Sequence, residues 1–172
     1  MIYGSLKMRC TGAILVWICL IMTGVTISVR LRHRLNFLED VVYMFVVFNS
    51  NISYFHQPLS EIISTFNKNE KQIDFIRFCT YKLNSGIDFP DAWEDSVKNY
   101  CPLLKEEEKV KLIEYGKSIG KTDTENQTVI LDTYYRSFEC FNNKAKEDFN
   151  KYNRTVIAAF FFLGCGLFIL LI

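Results

Sequence analysis

The sequence contains few residues that interrupt helices, with three prolines and eight glycines among 172 residues. It has only two histidines, His33 and His56, and neither has an evident cysteine, serine or carboxylate partner for a catalytic site. The 20 basic residues nearly balance the 19 acidic residues, and the formal net charge of +1 is too small to attract nucleic acid. We therefore expect long helices with few turns, no enzymatic activity, no cofactor and no nucleic-acid partner.

The six cysteines do not form a pattern typical of disulfides or metal sites. Three lie in terminal apolar runs and three in the central region, namely Cys10, Cys19 and Cys165, and then Cys79, Cys101 and Cys140. Three central thiols cannot pair completely, and no two of them have CxxC spacing. We expect reduced, mostly buried thiols and no metal.

The first apolar run, residues 11–29, has nineteen residues without a charge. This is close to the ~20 residues that cross the hydrocarbon core of a membrane as a helix. A cleaved signal peptide is the alternative, but its apolar region usually has only ~7 to 15 residues. Arg30, Arg32 and Arg34 follow directly, as at the cytoplasmic end of an anchor. We predict an uncleaved transmembrane helix.

The second apolar run, residues 155–172, has eighteen residues and spans ~27 Å as a helix. A buried core helix is the alternative, although a domain this small could hardly surround it. We predict a second transmembrane helix, with residues 30–154 forming a cytoplasmic helical domain. The basic residues that flank both runs favour the cytoplasmic side: Arg30, Arg32, Arg34, Lys144, Lys146, Lys151 and Arg154.

The central region has apolar residues at helical spacing, so the predicted fold is all-α, and the apolar stripe from Leu31 to Phe55 predicts a largely buried helix. We expect an antiparallel helical bundle in which both transmembrane helices are continuous with the long domain helices. Gly86 is predicted to end one short helix, and Asp88 to cap the next. A further helix is expected to stop at Gly116 to Gly120, and its acidic start, residues 106–108, to be a solvated face.

Nearly the whole chain, including both terminal apolar runs, resembles the stage III sporulation protein AB family. The resemblance lies in a segment around Pro58, in residues 89–93 (FPDAW), and in a block that the family writes as leucine, then glycine, then LGxSDxxxQ. The residues of this chain that carry these motifs and are candidates for structural or partner-contact roles are Pro58, Glu61, Pro90, Trp93, Gly116, Gly120, Asp123 and Gln127. Ile119 replaces the leucine and Thr122 the serine of the last block.

The resemblance implies a membrane component of the channel complex that links mother cell and forespore during endospore formation. The family is similar to the inner-membrane platform protein of type II secretion and type IV pilus machines. By this analogy, the cytoplasmic domain would dock a secretion-type ATPase and contact other proteins of the complex. The expected location is the mother-cell membrane that faces the forespore.

The motif residues have simple structural interpretations. Gly116 and Gly120 do not match a phosphate-binding loop, and we expect them to let two helices turn tightly. Asp123 and Gln127 are expected to cap or brace the next helix. Trp93 is expected to be a core anchor, with an interface hot spot as the alternative.

Two other functions fit parts of the sequence. A platform subunit of a general secretion or pilus machine would share the topology, although such proteins usually carry two helical domains and this chain shows no internal repeat. A dimer of the chain would imitate that pair. A surface glycoprotein is the second alternative, because Asn51, Asn126 and Asn153 lie in glycosylation sequons.

Overall fold

In the computed structural model, the described backbone comprises residues 2–55, 61–63, 66, 73–119 and 124–171. Side chains are described for residues 12–52, 61–63, 66, 73–119, 129–167 and 169. Within these ranges the regular structure is helical and no strand occurs. The predicted all-α class is confirmed.

Along the sequence, three short helices with defined bounds lie between two long ones. Residues 61–63 and 66 are also helical. The five helices with defined bounds are α1 (Ile2–Phe55), α2 (Asp74–Asn84), α3 (Phe89–Tyr100), α4 (Glu106–Ile119) and α5 (Thr124–Leu171). The long helices have 54 and 48 residues, and neither contains a proline that would remove a backbone hydrogen bond.

One stretch of α1, Gly12–Ile52, contains a segment long and apolar enough to cross a membrane. It includes most of the first predicted span. The second predicted span includes Phe168 and residues 170–172, whose side chains lie outside the described residues. The second span and the boundaries of the cytoplasmic domain therefore stay predictions.

The contacts between Cα atoms divide the chain into two units. The first unit, here called the terminal unit, contains residues Met1–Leu35 and Lys144–Ile172, and the second, the central unit, contains Asn36–Asn143. Both long helices contribute to both units.

In the terminal unit, the start of α1 packs against the end of α5. The rings of Trp17 and Phe161 have centroids 5.7 Å apart. Trp17 also lies against Gly164, while the hydroxyl of Ser28 donates a hydrogen bond to Oδ1 of Asn153. Residues with higher numbers in α1 contact residues with lower numbers in α5, so the two segments run antiparallel.

The central unit has an aromatic core to which α1, α4 and α5 all contribute. Phe45 of α1 packs edge-on against Tyr115 of α4, at 4.8 Å between ring centroids, and against Phe138 of α5, at 5.3 Å. All three side chains are fully buried. The apolar stripe of α1 that the sequence predicts is buried here, including Leu38, Val41, Met44, Phe48 and Ile52.

Gly86 ends α2 as predicted. Its φ of +83° lies in the left-handed region, which favours glycine. The N–H of Gly86 donates to the carbonyl of Leu83, and the N–H of Ile87 donates to that of Lys82. This pair of bonds is a Schellman motif, which satisfies the last free carbonyls of the helix.

The acidic start of α4 is not wholly a solvated face, so that part of the prediction is wrong for Glu108. Glu108 is only 2 % exposed, and its Oε2 accepts a hydrogen bond of 2.7 Å from the backbone N–H of Lys105. This contact is half of a capping box, in which the third helical residue reaches back to the residue before the helix. Glu106 is exposed and pairs with Lys109.

Candidate functional site

Trp93 lies at the centre of the contact between α3 and α4. The side chain is fully buried, and its ring centroid lies 5.3 Å from that of Phe75 and 5.6 Å from that of Tyr115. Its indole Nε1 donates a hydrogen bond of 2.8 Å to the backbone carbonyl of Leu112. A buried indole N–H therefore has the acceptor that it requires, and the ring has one defined orientation.

Gly116 provides the surface on which the Trp93 ring lies. A Cβ at position 116 would lie 2.6 Å from Cγ of Trp93 and still nearer to Cδ1, a separation that carbon atoms do not tolerate. The helix stops between Gly116 and Gly120, as predicted, but Gly116 itself is helical and is not part of a turn. Gly116 lies inside α4, which continues to Ile119, and its missing side chain serves close packing.

Pro90 is in the first turn of α3, where a proline costs no helical hydrogen bond. Asp88 occupies the N-cap position, but its side chain makes no capping hydrogen bond, contrary to the prediction. Its carbonyl instead accepts the N–H of Ala92 at 2.9 Å, as a residue at the start of a helix does. The segment around Pro90 thus starts the helix that carries Trp93.

The outer surface of α3 carries ion pairs to both neighbouring helices. Glu94 pairs with Lys98 on its own helix and with Lys117 of α4. Asp95 pairs with Lys82 of α2. Each carboxylate of these pairs lies against a lysine ammonium group, so positive and negative charges nearly balance on this surface.

These contacts lower the pKa of both carboxyl groups. Hydrogen bonds from Lys117 and then Lys98 lower the pKa of Glu94 to about 2. A hydrogen bond from Lys82 lowers the pKa of Asp95 below its ordinary value. Both carboxylates are therefore charged at neutral pH, and neither has the raised pKa of a general acid.

Among the remaining motif residues, the structure describes the side chain of Glu61 alone. Glu61 is exposed. Pro58, Gly120 and Asp123 lie outside the described residues. Gln127 belongs to α5, but its side chain is not among those described. The expectation that Asp123 and Gln127 cap or brace the last helix stays a prediction.

The sequence analysis missed Tyr115 and the role of the Leu112 carbonyl. Tyr115 is fully buried, and its hydroxyl has no hydrogen-bond partner among the described residues. Burial raises the pKa of Tyr115 well above its ordinary value. The spacing of Leu112, Tyr115 and Ile119 at three and four residues could have predicted the buried face of α4.

Two buried thiols lie in the central unit. Burial raises the pKa of Cys79 and that of Cys101 to about 12, so both are protonated at neutral pH. Cys140 is exposed, as is Cys19 of the terminal unit. Among the described residues, no group of three or more histidine, cysteine or acidic side chains is placed to hold a metal ion.

One motif segment thus supplies Pro90 and Trp93, and another supplies Leu112 and Gly116. The fold brings these two segments into contact.

A profile of stage III sporulation protein AB (spore_III_AB) matches residues 9–172. The chain belongs to the stage III sporulation protein AB family. Its role therefore lies in sporulation. No curated protein and no solved structure matches the chain.

The match to the stage III sporulation protein AB family includes residues of both units of the structure. The match begins near the start of α1 and ends at the last residue of the chain. The motif residues that the structure describes most fully, Trp93 and Gly116, form a packing contact and not an exposed site.

Proposed function

We propose that this chain is a non-enzymatic membrane component of the channel complex that links mother cell and forespore during endospore formation. In this proposal its helical domain docks a secretion-type ATPase and contacts other proteins of the complex. The observation that carries the proposal is the family match, because it covers residues 9–172 and so includes both the apolar ends and the central helices.

The proposed anchor is a pair of antiparallel transmembrane helices. The candidate span in α1 supports the first of them. The second is supported by the apolar run from Thr155 onward, whose side chains Ile157, Phe161, Phe162 and Leu163 are exposed. Large exposed apolar side chains over several turns suit a lipid environment and are unusual on a surface in contact with water.

The proposed orientation places the central unit in the mother-cell cytoplasm. Basic residues follow the first apolar run and precede the second, and such residues are more frequent on the cytoplasmic side of a membrane. We further propose that the parts of α1 and α5 that follow and precede the spans pack as an antiparallel bundle, covered by the short helices. The contacts of Phe45 with both Tyr115 and Phe138 support this arrangement.

The central unit suits a docking role because its described charges are largely engaged within the unit. The ion pair of Glu94 with Lys117 connects α3 to α4, and that of Asp95 with Lys82 connects α3 to α2. The buried Trp93 side chain also packs α3 against α4. A surface with fixed geometry loses little conformational entropy when a partner binds. We propose that such a surface receives the ATPase, whereas catalysis belongs to the ATPase alone.

Co-purification from sporulating cells tests the docking proposal. The full chain would carry an affinity tag and be extracted in a mild detergent after crosslinking in the cell. A membrane protein of unrelated function with the same tag, expressed in the same cells, is the control. We expect the secretion-type ATPase of the complex to be recovered with the chain and not with the control. Equal recovery in both, or recovery in neither, would contradict docking.

A further inference from the structure

One end of the apolar helix pair carries cations that no other described residue neutralises. Arg30 directly follows the first apolar run, and Arg154 directly precedes the second. Arg32 lies two residues after Arg30 on α1, and Lys151 lies three residues before Arg154 on α5. We call these four residues the basic band. All four side chains are exposed.

The hydrogen bond between Ser28 and Asn153 fixes the register of the band. It joins α1 to α5 within the terminal unit. Arg30 and Arg32 follow Ser28 by two and four residues, and Lys151 and Arg154 lie within two residues of Asn153. At a rise of ~1.5 Å per residue, all four lie within about 6 Å of this hydrogen bond along the helices. They therefore occupy one narrow level at the end of the apolar segment.

The band has no internal counter-charge among the described residues. None of its four side chains makes an ion pair or a hydrogen bond there, and only Lys151 has a described polar contact, with its ammonium 5.4 Å from the ring centroid of Tyr152. The central unit differs, because Lys82, Lys98 and Lys117 all pair with acidic side chains. Glu147 and Asp148 are about one turn further from the apolar run than Lys151.

The distribution of the band around the helices indicates its ligand. Arg30 and Arg32 are roughly 160° apart around α1, whereas Lys151 and Arg154 are roughly 60° apart around α5. A folded partner or a free anion would meet such a set from one side only. A layer of lipid headgroups surrounds a transmembrane helix pair at one level and reaches every face.

We propose that the basic band binds the headgroups of anionic phospholipids at the cytoplasmic face of the membrane. This inference rests on the proposed membrane topology. The phosphate of each headgroup accepts hydrogen bonds from arginine, and Tyr152, which is 44 % exposed at the same level, is a residue typical of the membrane interface. Anionic lipid would thus complete the charge balance of the terminal unit.

Lipid binding to the purified full-length chain tests the proposal. The chain in detergent would be titrated with phosphatidylglycerol or with phosphatidylcholine of the same acyl chains, and bound lipids would be counted by native mass spectrometry. We expect at least about tenfold preference for phosphatidylglycerol, because each cation near a headgroup adds to the attraction. Replacing Arg30, Arg32, Lys151 and Arg154 by Gln together should abolish this preference.

Two control variants separate the band from total charge and from misfolding. Replacing Arg77, Lys105, Lys111 and Arg136 by Gln removes the same formal charge from exposed or partly exposed positions of the central unit and should leave the preference unchanged. Replacing the three arginines of the band by Lys keeps the charge and should also leave it within about threefold. Loss of the preference in the first control would overturn the assignment to the band.

Three further results would also overturn the proposal. Equal binding of both lipids by the wild-type chain would show that headgroup charge is not recognised. Displacement of phosphatidylglycerol by millimolar inorganic phosphate would identify a site for free phosphate instead of a lipid surface. A chain that does not sediment with membranes would overturn the membrane topology itself, and this outcome is distinct from a chain that does sediment but shows no lipid preference.

Discussion

Trp93 and Gly116 lie in direct contact where α3 meets α4. The indole is fully buried, its Nε1 donates to the carbonyl of Leu112, and the absence of a side chain at Gly116 leaves room for the ring. These residues are 23 positions apart in the sequence. One contact thus joins two of the three motif segments by which the chain resembles its family.

Replacing Gly116 by Ala should destabilise the protein. Alanine in a helix is favoured over glycine by about 1 kcal/mol, but overpacking a core costs about 1 to 3 kcal/mol. The Trp93 ring is buried and hydrogen-bonded, so it cannot move away easily. We expect a net loss of up to about 2 kcal/mol, measured by denaturant unfolding of the full chain in detergent. Glu114→Ala, at an exposed position of α4, is the control, and a G116A protein as stable as this control would contradict the packing argument.

Replacing Tyr115 by Phe should leave the protein as stable as before or more stable. The Tyr115 hydroxyl is buried without a hydrogen-bond partner among the described residues, and such a group costs about 1 to 3 kcal/mol. Phe retains the ring contacts with Phe45 and Trp93. The expected gain is up to about 1 kcal/mol in the same unfolding assay. A loss of more than about 1 kcal/mol would show that the hydroxyl has a stabilising partner.

Gly164 and Gly166 should respond differently to the same substitution. A Cβ at Gly164 would lie 2.7 Å from Nε1 of Trp17, whereas a Cβ at Gly166 would have no neighbour within 4 Å. Gly164→Ala should therefore weaken the pairing of α1 with α5 in the terminal unit, and Gly166→Ala should not. The measurement is oxidative crosslinking between cysteines introduced at Ser28 and Asn153, in a background without other cysteines. Equal crosslinking in both variants would contradict the close approach of Trp17 to Gly164.

Cys140 is the thiol of the central unit that can report on topology. It is exposed, whereas burial raises the pKa of Cys79 and Cys101 to about 12. We expect a membrane-impermeant maleimide to leave Cys140 unmodified in intact cells and to modify it once the membrane is permeabilised. Cys140→Ser is the control for labelling elsewhere. Modification of Cys140 in intact cells would contradict the cytoplasmic orientation.

The sequence predicts the helical class and some of the turns, because these depend on local patterns. The scarcity of proline predicts long helices, and Gly86 ends α2 because a left-handed residue is needed there. The apolar spacing from Leu38 to Ile52 predicts the buried face of α1.

The sequence does not predict contacts that depend on tertiary packing. A glycine in a sequence looks the same whether it serves a turn or a close approach, so the sequence predicts the end of α4 near Gly116 but not the packing of Gly116 against Trp93. Glu108 belongs to a charged run, and the hydrogen bond from the backbone N–H of Lys105 to its buried carboxylate is a tertiary detail that the run does not reveal. The partner of the Trp93 indole, a backbone carbonyl, has no sequence signature at all.

Deleting the gene in an endospore-forming host tests the proposed role most directly. Heat-resistant spores would be counted while forespore gene expression is followed by microscopy, with reintroduction of the wild-type gene as the control. The proposal predicts that engulfment is completed, that late forespore expression stays off, and that heat-resistant spores are lost until the gene is restored. A normal spore yield, in a host without a second copy of the gene, would contradict the role in the channel complex.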